Sequence, residues 1–342
     1  MKNTKKLTAM YLAALLLLIS AVVTLRSVAL FNSFDYATMQ FDGSITFKIS
    51  AIIAAVAPII FLSYIFLAPK SHKLAPDCAA LEVFIPSGIL SVAFIFMSAN
   101  TFMNWITYTP KKLSGTALIV SYLPPLLTVL AILAAAFFFL NFMSLKRTSD
   151  SKAILGMCAI AFLAIYGSYL FFTKEIHPTN SPNKIIDQMA YFSAALFMLF
   201  ETRIVLGRDM WKPYISFGLI SAMFCAYSSL PALILYFARG EVISNSIIES
   251  VLTLTLFIYI LSKILLTLRL PDDSCCKTAM AIEQMAARRE EELVQKRLSA
   301  HAHDYNIMEE NSTADDASSS DDAQDTEPND GQISFELDGT ES

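Results

Sequence analysis

Eight blocks of about twenty mostly apolar residues occupy the first 270 positions of this chain. A helix of that length and composition crosses the hydrocarbon core of a bilayer. In 342 residues, eight such blocks leave little else to fold. They run Leu7–Leu25, Ile45–Leu67, Leu81–Tyr108, Ala117–Met143, Ala153–Phe172, Asp187–Leu206, Pro213–Ala238 and Ser246–Leu268. The sixth is the most polar, because it carries Glu201 and Arg203. Hydrocarbon offers backbone groups no water, so the spans must be helices. The expected fold is an all-α integral membrane protein: a bundle of about eight transmembrane helices over residues 1–270, a charged cytoplasmic helix over 271–300, and a disordered acidic tail over 301–342. Composition agrees. Hydrophobic residues make up 55% of the chain and charged ones 16%, against about 25% charged in soluble domains.

Charge is divided unevenly. The tail from His301 to Ser342 holds 13 Asp or Glu and no Lys or Arg, so the net −5 of the whole chain leaves +8 for residues 1–300. A basic body beside anionic headgroups is ordinary membrane electrostatics and no sign of nucleic-acid binding. Lys and Arg in the short flanks set orientation. With the N-terminus inside, cytoplasmic flanks carry 13 of them (among them Lys5, Lys6, Lys73, Lys146 and Arg208) and external flanks 7, including Arg26, Lys48 and Lys184. Both ends are expected in the cytoplasm of a bacterial cell membrane. The first block is too long for a signal-peptide core and no A-x-A site follows, so it reads as an uncleaved anchor. External loops hold no cysteine, hence no disulfide framework is expected. Cys275 and Cys276 read as free thiols.

The loops are too short to hold a domain with its own core. Any chemistry would have to lie in the bundle or on the tail. The histidines, His72, His177, His301 and His303, all fall outside the spans. No Ser–His pair, H-E-x-x-H site or phosphate loop is therefore in place. Asp187 reads as a cap on the sixth span, which removes a paired-aspartate reading. No catalytic residue, cofactor or metal site is expected, and an enzyme is the least favoured class.

Two groups of polar residues remain as candidates. Ionisable side chains within spans are costly to bury and are functional candidates by default. Glu201 and Lys263 each lie six residues from the inner end of a span that runs outside to inside. Equal depth suggests an intramembrane ion pair, with Arg203 on another face reaching the headgroups. Glu249 reads as an interfacial partner for Arg239 or Arg26. The second group is in the outer half: Asn100, Asn104 and Thr107 on one face of the third span, Ser121 and Tyr122 before Pro124–Pro125, and Tyr227, Ser228 and Ser229 before Pro231. Proline frees a backbone carbonyl that side chains or a ligand can satisfy. A small-solute site would look like this, and so would ordinary helix-to-helix glue. Spans three and seven also align at a shift of 130 residues, which would make Gly88 and Gly218 equivalent points. Trp105 and Trp211 fall at opposite interfaces, where indole anchors well.

Glu201-Thr202-Arg203, Gly207-Arg208, Tyr214 and Ser228-Ser229-Leu230-Pro231-Ala232 resemble uncharacterised multi-pass membrane proteins of clostridia-type bacteria, over the last three spans. That resemblance implies no activity, cofactor or binding residue. Apart from the lipid bilayer, the sequence offers two partners. The leading expectation is a non-enzymatic protein that recruits or responds to a cytoplasmic protein through residues 271–342. The other is a transporter or receptor for a small solute held in the outer half of the bundle.

Overall fold

The computed structural model describes residues 2–35, 38, 40–68, 81–107, 116–143, 150–172, 181–206, 210–243 and 246–269, and the single positions 291, 294, 295 and 298. Within the unit that holds residues 1–283, eight α-helices follow one another: α1 (Lys2–Ser33), α2 (Ile45–Leu67), α3 (Leu81–Thr107), α4 (Thr116–Phe142), α5 (Asp150–Phe172), α6 (Pro182–Val205), α7 (Trp211–Arg239) and α8 (Ile247–Arg269). Seven are long and apolar enough to cross a membrane, and α6 is the exception. The chain is thus a helical bundle of the multi-pass membrane type, with seven spans, rather than eight, qualifying on apolarity among the described residues. The shortfall has a plain cause: Lys184, Asp187, Glu201 and Arg203 all fall within the 24 residues of α6. One departure from all-α is a small antiparallel pair, β1 (Phe34–Asp35) with β2 (Gln40–Phe41). Gly43, at φ 58°, turns the chain from β2 into α2, which Ser44 caps through its hydroxyl.

The unit that begins at residue 284 is described only at Glu291, Val294, Gln295 and Leu298, all helical and exposed. The expected acidic tail, most of the charged helix and the Cys275–Cys276 pair lie outside the described residues.

Neighbour relations among the helices close a ring. α3 packs on α4, α4 on α5, α5 on α6, α6 on α7, α7 on α8, and α8 back on α3. α1 and α2 pair with each other and lie against α7. α7 therefore touches both groups and is the most enclosed element, with 19 buried residues. Small side chains permit this. A Cβ on Gly218 would come within 3.1 Å of Ile264 Cδ1 and 3.2 Å of Phe197. At Gly88 the corresponding neighbour is Phe142 of α4, at 3.0 Å.

Aromatic rings fill the middle of the ring of helices. Phe94 of α3 stacks on Phe138 of α4 at 5.3 Å and meets Phe162 of α5 edge-on at 5.3 Å. Phe138 meets Tyr259 of α8 at 5.2 Å, and Phe162 leads through Tyr166 to Tyr191 of α6. Edge-to-face and offset stacks are the favourable aromatic geometries. The outward side chains, such as Leu17, Phe66 and Phe237, are apolar and exposed, as a lipid-facing surface requires.

Trp211, the first residue of α7, is 4% exposed and packs edge-on against Tyr64 at 5.9 Å. The adjacent Lys212 turns its ammonium onto the carbonyls of Ile65 and Ala68, the open end of α2. A cation at a helix C-terminus satisfies carbonyls that lack a helical partner.

Gly218→Val should lower the stability of the purified protein by about 1–3 kcal/mol, the usual cost of overpacking. Thermal unfolding in detergent reads this directly, and an unchanged melting temperature would show that α7 and α8 can part.

Candidate functional site

Pro231 lies inside α7 and has no N–H, so the carbonyl of Tyr227, four residues earlier, loses its helical partner. The partner comes from another helix. Arg26 of α1 donates Nη1 to the Tyr227 carbonyl and Nη2 to Asn183 Oδ1 of α6, the latter at 2.8 Å. Its guanidinium also lies over the Tyr227 ring, 4.9 Å from the centroid. Arg26 is only 1% exposed. It is not the external flank residue that its position after the first apolar block implies, because α1 continues to Ser33 and carries it inside the bundle.

The network extends in both directions from this arginine. Tyr227 Oη is 3.0 Å from Ser50 Oγ of α2. Ser228 donates to Asp187 Oδ1 at 2.5 Å, and Asp187 lies within electrostatic reach of Arg26. Asp187 is no helix cap: α6 begins at Pro182 after Ser181, and Asp187 sits in its second turn. Asn183, Asp187 and Tyr191 follow at intervals of four and so share one face of α6. Tyr191 lies between charges, within electrostatic reach of both Asp187 and Glu249. Glu249 of α8 accepts the Tyr166 hydroxyl at 2.5 Å. The expected partners of Glu249 go elsewhere, since Arg239 donates to the Phe31 carbonyl and Arg26 lies as described. Hydrogen-bonded polar groups thus run from α1 through the α6–α7 seam to Asp187, and the Tyr166–Glu249 pair forms a separate hydrogen bond in the aromatic interior, with the Tyr191 ring packed against Tyr166.

Three buried donors in these groups have no hydrogen-bond partner among the described residues: Arg26 Nε, Asn183 Nδ2 and the Tyr191 hydroxyl. Buried polar groups are almost always paired. Each unmet donor costs roughly 1–3 kcal/mol. Arg26 and Asn183 are adjacent through their hydrogen bond, while Tyr191 stands two turns further along α6.

A second polar group lies near the other end of α6. Lys263 Nζ is 2.8 Å from Glu201 Oε1, and Tyr259 donates to the same oxygen at 2.6 Å. Glu201 Oε2 is buried without a partner. Lys263 also sits over the Tyr259 ring at 5.4 Å. The aromatic filling of the ring therefore has a tyrosine–glutamate hydrogen bond at each end: Tyr166–Glu249 and Tyr259–Glu201. Arg203 is exposed and meets Met210 Sδ at 3.7 Å.

The polar residues read as one outer-half cluster separate into two places. Tyr227 and Ser228 belong to the Arg26 network. Ser229 bonds only its own helix, at Cys225 O. On α3, Asn100 Nδ2 lies 3.4 Å from Ser246 Oγ, Thr107 bonds Met103 O of its own helix, and Asn104 and Thr107 are exposed. Tyr122 of α4 is 64% exposed. Ser121 lies on the same helix, its side chain outside the described set. Among the described residues α3 and α7 share no substantial interface, because α8 stands between them. Sequence reasoning gave Arg26 only as an external flank charge and a candidate partner of Glu249, and missed Ser50, Asn183, Tyr166 and Tyr191 altogether. A usable signal was the 183–187–191 spacing in the one span that is poor in apolar residues.

No group of three or more His, Cys, Asp or Glu side chains among the described residues is placed to hold a metal. Comparison with protein-family models, with curated proteins and with solved structures finds no match to this chain.

Arg26→Met should cost about 1–3 kcal/mol through the unmet Tyr227 carbonyl. The cost should shrink in a Pro231→Ala background, where residue 231 regains its N–H. A double-mutant cycle on melting temperature checks this coupling. Lys263→Met should cost about 3–5 kcal/mol by leaving Glu201 buried and uncompensated. Adding Glu201→Gln should recover most of that loss in the same assay.

Proposed function

We propose that this protein is a transporter or receptor for a small solute bound inside the bundle, at the network around Arg26. The carrying observation is a guanidinium 1% exposed, hydrogen-bonded to the buried Asn183, with both side chains keeping a donor that has no partner among the described residues. Charged groups at membrane depth that face a bundle interior mark solute and ion pathways. A packing role would have been served at lower cost by apolar side chains.

In this reading α6 is an eighth crossing, both termini are cytoplasmic, and the membrane is that of a bacterial cell. The 24 residues of α6 span about 36 Å as a helix, enough for a bilayer core. The Arg26 network then faces the outside and the Glu201–Lys263 pair the inside. About 21 Å separates Asp187 from Glu201 along α6. Transport fits this arrangement: one helix with polar groups near both ends, and an aromatic plug with a hydrogen-bonded tyrosine at each end.

A thermal-shift screen of the detergent-purified full chain against small solutes tests the proposal, since a ligand that binds only the folded state raises the melting point. The shift should vanish in Arg26→Lys, which keeps the charge and loses the fork. It should persist when residues 271–342 are removed. Loss of binding with that segment would favour recruitment of a cytoplasmic protein through residues 271–342 instead.

A further inference from the structure

We infer that the Glu201 carboxylate is a binding site for the ammonium group of a small molecule, and that the Lys263 ammonium holds that place until such a ligand displaces it. The site lies near the opposite end of α6 from Arg26 and stands independently of the solute reading there. Its geometry is set out by the group that now fills it. Lys263 Nζ of α8 is 2.8 Å from Glu201 Oε1 and 5.4 Å from the centre of the Tyr259 ring. Tyr259 donates its hydroxyl to the same Oε1 at 2.6 Å. Tyr214 of α7 lies within electrostatic reach of the carboxylate. A carboxylate beside an aromatic face suits an ammonium ion, through charge-assisted hydrogen bonds and the ring quadrupole. The space that a ligand's ammonium needs is the space that Nζ occupies.

Lys263 is a replaceable occupant for two reasons. The first is an unfilled oxygen. Glu201 is 5% exposed, and its Oε2 is buried with no hydrogen-bond partner among the described residues, while Lys263 and Tyr259 both crowd onto Oε1. A buried ion pair that serves only packing offsets its desolvation when the remaining lone pairs are satisfied. Here one oxygen is left open. A free ammonium has three donors and no stem to tie it to α8, so it can bridge both oxygens. The second reason is the exit open to the lysine. Its side chain is 16% exposed, against 6% for Glu201. It lies six residues before Arg269, the last residue of α8, about 9 Å along the axis. A long lysine stem carries the charge to the headgroups from that depth. The exchange leaves Glu201 compensated by one cation before and after. A divalent metal fits less well, because no group of three or more His, Cys, Asp or Glu side chains converges among the described residues.

Titration calorimetry on the full chain in detergent, at constant ionic strength, tests this with methylammonium, propylammonium, tetramethylammonium and sodium as chlorides. Methylammonium and propylammonium should bind the unmodified protein. Lys263→Met removes the competitor, so their affinity should rise at least about tenfold, the factor for a site that is free about a tenth of the time. Methylammonium should also raise the melting temperature of Lys263→Met, since it restores the missing cation. Should Lys263→Met not melt cooperatively, Lys263→Gln gives the same comparison. Glu201→Gln keeps an oxygen for Tyr259, loses the charge, and should abolish binding. Binding to Lys263→Met alone, with the unmodified protein silent, overturns the inference, because Lys263 then never yields its place. Binding that survives Glu201→Gln overturns it by placing the ligand elsewhere. Tetramethylammonium or sodium binding as tightly as methylammonium overturns the assignment to an N–H donor. Silence from every probe overturns it too. A shift in the solute screen that is lost in Arg26→Lys and kept in Glu201→Gln belongs to the Arg26 site, so the two readings fail separately.

Discussion

The hydrogen bond between Arg26 and the carbonyl that Pro231 leaves open ties the two parts of this bundle together. α1 and α2 meet the ring of α3–α8 along α7. The guanidinium reaches across that seam to two helices at once. In hydrocarbon, a free carbonyl and a free guanidinium are each expensive. Pairing them cancels much of both costs and fixes the depth of α1 against α7 to within a fraction of a helical turn. Tyr227, Ser50, Asn183, Asp187 and Ser228 are all placed by that one register.

Polar contacts hold the two ends of the ring, and aromatic packing holds the middle. No water competes inside a bilayer, so helix association there depends on close van der Waals contact and on interhelical hydrogen bonds. The first is supplied by glycines such as Gly218 and by the stacked rings of Phe94, Phe138 and Phe162. The second is supplied by tyrosines that donate to Glu249 and Glu201. Each glutamate is thereby held on a helix of the ring by a hydroxyl from another.

The number of helices and their rough boundaries were legible because hydropathy depends only on local composition, although only seven of the eight expected spans are apolar enough to cross a membrane. α3 and α8 occupy nearly the blocks read from the sequence, and α2 has the same limits. Depth was legible too. Counting residues from the span ends set Glu201 and Lys263 at one level, and their charged atoms lie 2.8 Å apart. Lateral adjacency was not legible. Asn100 and Ser228 share a depth, yet α8 separates their helices. Helix ends were poorly legible where a charge interrupts an apolar run. Arg26 looked like the end of a span, and Asp187 like the start of one. In each case the helix continues past the charge and buries it, because a partner on another helix is there to receive it. A single chain read in order gives no sight of that partner.

The composition of α6 has a consequence for how the chain is made. Its partners are synthesised at very different times. Arg26 precedes it, but Tyr259, which holds Glu201, follows 58 residues later. At ~5–20 residues per second, that gap lasts several seconds. During that interval α6 has neither the apolarity to settle in lipid alone nor the acceptor-filling neighbours that settle it later. The contacts of α6 are therefore completed only once α7 and α8 have been made.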